Sequence, residues 1–209
     1  MKGRPMSIVR LSMGVLIACT GLAGANLLTN GDFETQGSGG TDDAAGWFRT
    51  NTSIVGRYNE TGQAGHGDWE LLLQDNADAW HWASQIVPAT AGVEYTASIQ
   101  MKGVLQAGEI GYVYMDFQDS GGASLGAQWS EYVSSDADYA DFAWVTRTKV
   151  ATAPAGTAQI EFRAMTKLDG QGNSGVWMDN AELVPEPATM GLFGLMGGAM
   201  LWVRKRFKR

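Results

Sequence analysis

The chain has 209 residues, of which 22 are acidic, 15 basic and one a cysteine, for a formal net charge of −7. That length holds one domain with a core of its own. The acid excess argues against nucleic acid or an anionic membrane surface as the partner, and a lone cysteine excludes a disulfide framework within the chain. The charge is also unevenly spread. Three of the 15 cations precede Leu11 and five follow Val203, which leaves seven against twenty-one acids over residues 26–184, a net of about −14. Carboxylates in that number suit a secreted protein and a hard cation such as calcium.

In chain order, Lys2, Arg4 and Arg10 precede an apolar stretch over residues 11–25 that ends in Ala23-Gly24-Ala25. This is the layout of a signal peptide for Sec export, residues 1–25, with the cut before Asn26. Leu16-Ile17-Ala18-Cys19 also has the form of a lipobox, in which Cys19 would become a lipidated N-terminus. With the cut before Asn26 the mature chain has no cysteine and holds together in an oxidising compartment without a disulfide.

Residues 26–184 read as all-β. Glycine is frequent, helix-period stripes are missing and short alternating runs end in turn residues. Residues 69–74 form one run, closed by Asp75-Asn76. Residues 80–87 form another, with Trp80, Trp82, Ser84 and Ile86 on one face and His81 on the other. Residues 93–101 follow the Ala91-Gly92 turn. Residues 109–117 alternate Ile110, Tyr112 and Tyr114 against Val113, Met115 and Phe117, until Asp119-Ser120-Gly121-Gly122 breaks the run. Residues 144–152 and 157–165 are joined by Pro154-Ala155-Gly156, and 175–184 close the domain. Seven or eight strands at this spacing predict a jelly-roll β-sandwich.

The C-terminal segment, 185–209, has three ordered parts: Pro185-Glu186-Pro187, sixteen uncharged residues over 188–203, and Arg204-Lys205-Arg206-Phe207-Lys208-Arg209. The prolines separate this segment from the domain. As a helix, residues 188–203 would reach ~24 Å, short of the ~30 Å hydrocarbon core. The terminal cations would stay cytoplasmic. A plain tail anchor has this form, but the order of parts closely resembles the PEP-CTERM sorting signal of Gram-negative bacteria. The resemblance implies recognition by exosortase, a membrane transpeptidase-like enzyme that removes the helix. It further implies an inner-membrane intermediate and final delivery to the cell surface or extracellular matrix.

A second resemblance spans most of the domain. It opens with Asn26-Leu27-Leu28-Thr29-Asn30-Gly31-Asp32-Phe33-Glu34 and closes with Trp177-Met178-Asp179-Asn180. Between them lie Gln85-Ile86-Val87, Gly92-Val93-Glu94-Tyr95-Thr96 and a strand led by Trp144. This is similar to the galactose-binding-like sandwiches of the carbohydrate-binding-module type. By that resemblance the first and last strands lie together beside a structural calcium. Glu34 and Asp179 would supply carboxylate oxygens, with the Asp32 carbonyl and Asp68 nearby; the bland alternative is that these are solvated turn residues.

Trp80, Trp82, Trp129, Tyr112 and Tyr114 are the candidate ligand-binding rings. Sugars stack their CH-rich faces on indole and phenol rings, and neighbouring acids or amides bond the hydroxyls. For any single ring of a sandwich the core is the commoner place, and Trp144 and Trp177 are assigned to it. Asp136, Asp138 and Asp141 read as a solvated loop, since they lack the glycine and final glutamate of a calcium loop. Sequons at Asn51 and Asn59 are formal only. Catalysis is not expected: there is no G-x-S-x-G, no cysteine in the mature chain and no histidine pair at zinc spacing. Two functions remain, a polysaccharide-binding module and a structural surface protein whose sandwich is a soluble payload. Trp80, Trp82 and Trp129 separate them: an open groove favours binding, a packed interior favours structure.

Overall fold

Side chains alternate across a strand, so one phase of each run must find a core. In the sequence Ile-Glu-Phe-Arg-Ala-Met-Thr-Lys-Leu over 160–168, Ile160, Phe162, Ala164 and Leu168 are buried in the core while Arg163 and Lys167 face outward. The same rule builds the rest of the chain. The computed structural model describes residues 24–50, 55–59, 66–74, 78–133, 143–169 and 174–186. The described residues form ten strands and no helix. They are β1 (Phe48–Arg49), β2 (Val55–Asn59), β3 (Trp69–Gln74), β4 (Asp78–Pro88), β5 (Glu94–Val104), β6 (Ile110–Gln118), β7 (Ser124–Val133), β8 (Val145–Thr152), β9 (Gln159–Asp169) and β10 (Gly175–Pro185).

Two five-stranded antiparallel sheets face each other, one ordered β1-β4-β9-β6-β7 and the other β2-β3-β10-β5-β8. The core between them is aliphatic and aromatic: Leu71, Leu73, Ile99, Met101, Val113, Met115, Ile160, Phe162, Val176 and Met178 are all fully buried. The expected all-β sandwich is therefore the observed fold.

The seven predicted runs all appear, with ends that coincide or shift by up to four residues. Residue 157 belongs to a turn rather than a strand, because the Thr157 N–H and hydroxyl both donate to the Pro154 carbonyl. Three strands were not foreseen: β1, β2 and β7. In β7 only Tyr132 is fully buried, and Gly126 and Ala127 interrupt the alternation. An edge strand of that kind carries little periodic signal. Trp144 and Trp177 are corrections, since neither belongs to the core cluster. Trp177 packs edge-on against Tyr58 on the outer face of the second sheet, and Trp144 stacks on His66.

The opening and closing motifs meet. The Leu27 N–H donates to the Leu183 carbonyl at 2.9 Å, and the Ala181 N–H to the Gly31 carbonyl at 2.8 Å. A Cβ on Gly31 would run into the Ala181 carbonyl, so this approach of two backbones requires glycine. β10 bulges between Asp179 and Glu182, and Asn180 takes a φ of 49°, a left-handed position that asparagine tolerates. The signal peptide, Cys19, the sequon at Asn51, the acidic run at 136–141, Pro187 and the apolar segment 188–203 lie outside the described residues.

Candidate functional site: an open aromatic face

The outward phase of the first sheet gathers four of the five candidate rings into one cleft. Register sets the rows. Trp82, Met165, Tyr112 and Glu131 are consecutive partners across β4, β9, β6 and β7, and Ser84, Arg163, Tyr114 and Trp129 form the next row. With strands ~4.8 Å apart, each row spans ~14 Å. Trp80, Tyr112, Tyr114, Trp129, Glu131 and Met165 line a cleft of about 330 Å³. Trp80 is 43% exposed and Trp129 47% exposed. The Trp80 and Tyr112 centroids are 5.4 Å apart; Tyr114 and Trp129 are stacked at 6.3 Å with their planes 17° apart. Trp82 does not line the cleft. It lies half-buried under the Arg163 guanidinium, 4.9 Å from its ring.

Polar groups border the rings. The Arg163 guanidinium sits between Trp82 and Tyr114 and donates from Nη2 to Glu161 Oε2 at 2.7 Å. Gln118 Nε2 donates to Asp116 and Glu161, the Ser124 hydroxyl to Asp116 at 2.6 Å, and Gln159 to Gln118. Burial alone would raise the Glu161 carboxyl, yet hydrogen bonds from Arg163, Ser84 and Gln118 outweigh it and hold the group below its ordinary range. The same contact with Glu161 raises Arg163 further. Burial, followed by Glu131, raises the Tyr112 phenol, and burial, followed by Asp116, raises that of Tyr114. At neutral pH both phenols therefore carry their protons and can donate. Trp129 Nε1 donates to Glu131 Oε1 at 3.2 Å, which fixes the indole orientation at the rim.

Sequence reasoning had found the rings but not Glu131, Met165, Arg163 or Glu161. A signal existed for the last three: Glu161, Arg163, Met165 and Lys167 recur at every second residue, opposite an apolar phase.

The four residues expected around calcium make the following contacts within the chain. Glu34 Oε1 accepts the N–H groups of Asp68 and Trp69 at 2.8 and 2.9 Å. Arg57 pins the same loop, donating to the carbonyls of Phe33, Glu34 and Thr41. Asp179 is fully buried on β10 and pairs with His66 Nδ1 at 3.0 Å. Burial comes first, then Glu70, Asp32 and Glu34, in pushing its carboxyl up to about 8. Burial and the Lys102 charge hold the His66 imidazole down. At neutral pH this contact is thus an uncharged acid–imidazole hydrogen bond rather than an ion pair. Asp32 is exposed and lines a separate polar cleft with Asn26, Asn30 and Glu182. Asp68 is exposed, and its carbonyl accepts Asn59 Nδ2. Among the described residues no three acidic, histidine or cysteine side chains converge at metal-ligating spacing.

The sandwich is similar in fold to solved carbohydrate-binding modules. The carbohydrate-binding module TmCBM61, solved in complex with β-1,4-galactotriose, superposes with a TM-score of 0.53 at 18% identity, over 78% of this chain and 99% of that one. Family 16 carbohydrate-binding module 2 gives 0.50 at 16% identity, over 76% and 99%. The enzymatically active domain of tailspike protein 4 from bacteriophage CBA120 gives 0.56 at 14% identity over 77% of this chain, which spans only 21% of that protein. At such identities the likeness is one of fold. No curated protein matches the chain.

Residues 183–206 match the PEP-CTERM protein-sorting motif. The chain thus joins a sandwich similar in fold to carbohydrate-binding modules to a sorting motif that indicates exosortase-targeted export through a membrane-anchored intermediate.

Proposed function

We propose that this is an exported, non-catalytic surface or matrix protein that holds polysaccharide on the outer face of its first sheet. One observation carries the reading: Trp80 and Trp129 stand nearly half exposed over an open cleft floored by Met165 and walled by Tyr112 and Tyr114. Leaving large rings in water is costly unless a ligand covers them. Stacking on such rings adds ~1 kcal/mol each beyond area burial, and two or three reach the weak range that becomes useful when many copies share a surface. Glu131, Arg163 and the phenol hydroxyls are within reach of sugar hydroxyls along the same rows.

On this reading the Sec route exports the chain by residues 1–25. The apolar segment holds it briefly in the inner membrane, and exosortase releases it to the surface or matrix. The test is affinity electrophoresis of residues 26–184 against neutral, acidic and amino polysaccharides. Wild type should be retarded by at least one of them, and Trp129→Ala should lose most of the retardation while its melting temperature stays unchanged. If wild type migrates freely in every gel, the sandwich is a structural payload instead.

Calcium is a separate part of the proposal. Its support is Asp179, a buried carboxyl whose ionisation is opposed by Glu70, Asp32 and Glu34. A divalent cation held by Glu34 and Asp179, with Asp32 and Asp68 nearby, would relieve that repulsion and complete its shell from backbone carbonyls and water. Binding should stabilise by ~2.7 kcal/mol at a hundredfold excess over Kd. Melting curves that coincide in calcium and in chelator would remove the site.

A further inference from the structure

The sorting motif and the last strand share the same residues. The match begins at Leu183, yet Leu183, Val184 and Pro185 are paired with Ala97, Thr96 and Tyr95 of β5. The hold continues one residue past the strand. The Glu186 N–H donates to the Glu94 carbonyl at 2.8 Å, and the Thr96 hydroxyl donates to Glu186 Oε1 at 2.6 Å. The opposite edge is fastened by the start of the domain. Asn26 Oδ1 accepts the Leu183 N–H at 2.9 Å, and Gly24 lies against the Pro185 carbonyl with no room for a Cβ.

We propose that Thr96 and Glu94 latch the Pro-Glu part of the motif onto the folded domain, so that sorting proceeds only after residues 185 and 186 leave the sheet. The inference rests on reading residues 183–206 as a sorting signal. An enzyme that reads the Glu186 carboxylate and its backbone needs groups that are engaged internally here. Space argues the same way. Only Pro187 lies between Glu186 and Ala188, where the uncharged run begins, a reach of at most ~7 Å. With the latch closed, the whole sandwich would stand that close to the start of the uncharged run. Glu186 is itself solvent-exposed, so the hold consists of hydrogen bonds and not burial. Opening a strand end of this kind is a local event of low cost, which makes the latch a control on rate.

The test follows processing of the full-length precursor in a Gram-negative host with an exosortase, by pulse-chase and intact mass. Thr96→Val removes the hydroxyl donor and keeps the shape. It should speed processing about three- to tenfold, the scale of one hydrogen bond to a charged acceptor. A four-residue Gly-Ser insertion between Val184 and Pro185 should speed it as much, by freeing the motif without changing it. Glu186→Ala is the control on the sorting reading and should leave a full-length, membrane-retained chain. If Glu186→Ala blocks processing while the other two variants mature at the wild-type rate or slower, the latch is wrong and the sorting reading stands. If Glu186→Ala matures normally, both fail.

Discussion

The outer faces of the two sheets carry similar residues and treat them in opposite ways. On the first, Trp80 and Trp129 stand open over a cleft, with the charged network of Asp116, Glu161 and Arg163 at its border. On the second, Trp144 stacks on His66 at 4.1 Å, the Lys102 ammonium lies 4.5 Å from the Trp144 ring, and Glu70 and Asp179 are buried beneath. Indoles, acids and a cation are present in both. Cover decides the difference: where His66 and Trp144 close over the strands, ring and charge serve stability, and where the strands are bare the same groups are free to meet a ligand. Aromatic content alone therefore does not mark a binding face.

The comparison can be broken most forcefully at Lys102. Its ammonium lies 3.6 Å from Glu70 and both side chains are buried, so Lys102→Ala leaves a buried carboxylate uncompensated. Denaturant unfolding should show a loss of about 3–5 kcal/mol. The corresponding open-face change, Lys167→Ala beside Trp80, should cost less than about 1 kcal/mol.

Next in size is the pH response of Asp179. Its carboxyl stays protonated up to about 8 in the folded chain but ionises near its usual value of 3.8 when unfolded. The unfolded state therefore holds fewer protons through this window. The contribution of Asp179 to stability should be greatest below about pH 4 and should fall as pH rises toward about 8, after which this group adds no further change. Asp179→Asn should flatten the profile; an unchanged slope would show that another group carries it.

Trp144→Ala and Trp129→Ala form the sharpest matched pair. The first removes the stack on His66 and the cation contact with Lys102, and should cost ~2 kcal/mol or more. The second should change stability by less than ~1 kcal/mol while weakening polysaccharide retention about fivefold or more. Equal stability losses would erase the distinction between the two faces. The smallest effect is expected at Glu161. Its folded carboxyl lies below the ordinary value, so the stability it contributes is present above about pH 4.5 and is lost as pH falls through the folded value. Glu161→Gln should remove that acid-side loss and leave the neutral-pH melting temperature within a few degrees.

Much of this was legible in the residues. β3 spans the predicted 69–74, and the two-residue alternation of β4 and β6 was legible because alternation is a local property, although which of the two phases faces outward was not. The sorting motif was legible too, being a linear order of proline, apolar run and cations. β7 was not, although it carries Trp129 and Glu131, because an edge strand with Gly126 and Ala127 has no strong two-residue period. Glu70 and Lys102 looked like ordinary strand residues. Nothing in their neighbourhoods along the chain announces that they meet, since the pairing depends on β3 and β5 flanking β10.

By itself the sequence determined the fold class, the strand phases and the signal at the C-terminus, all of which rest on interactions between residues close along the chain. Tertiary structure alone decided which aromatic face stays open, that Asp179 pairs with His66, and that Glu186 is held by Thr96. Each depends on a register between strands distant in sequence and on which segments lie over each sheet, and no local pattern encodes either.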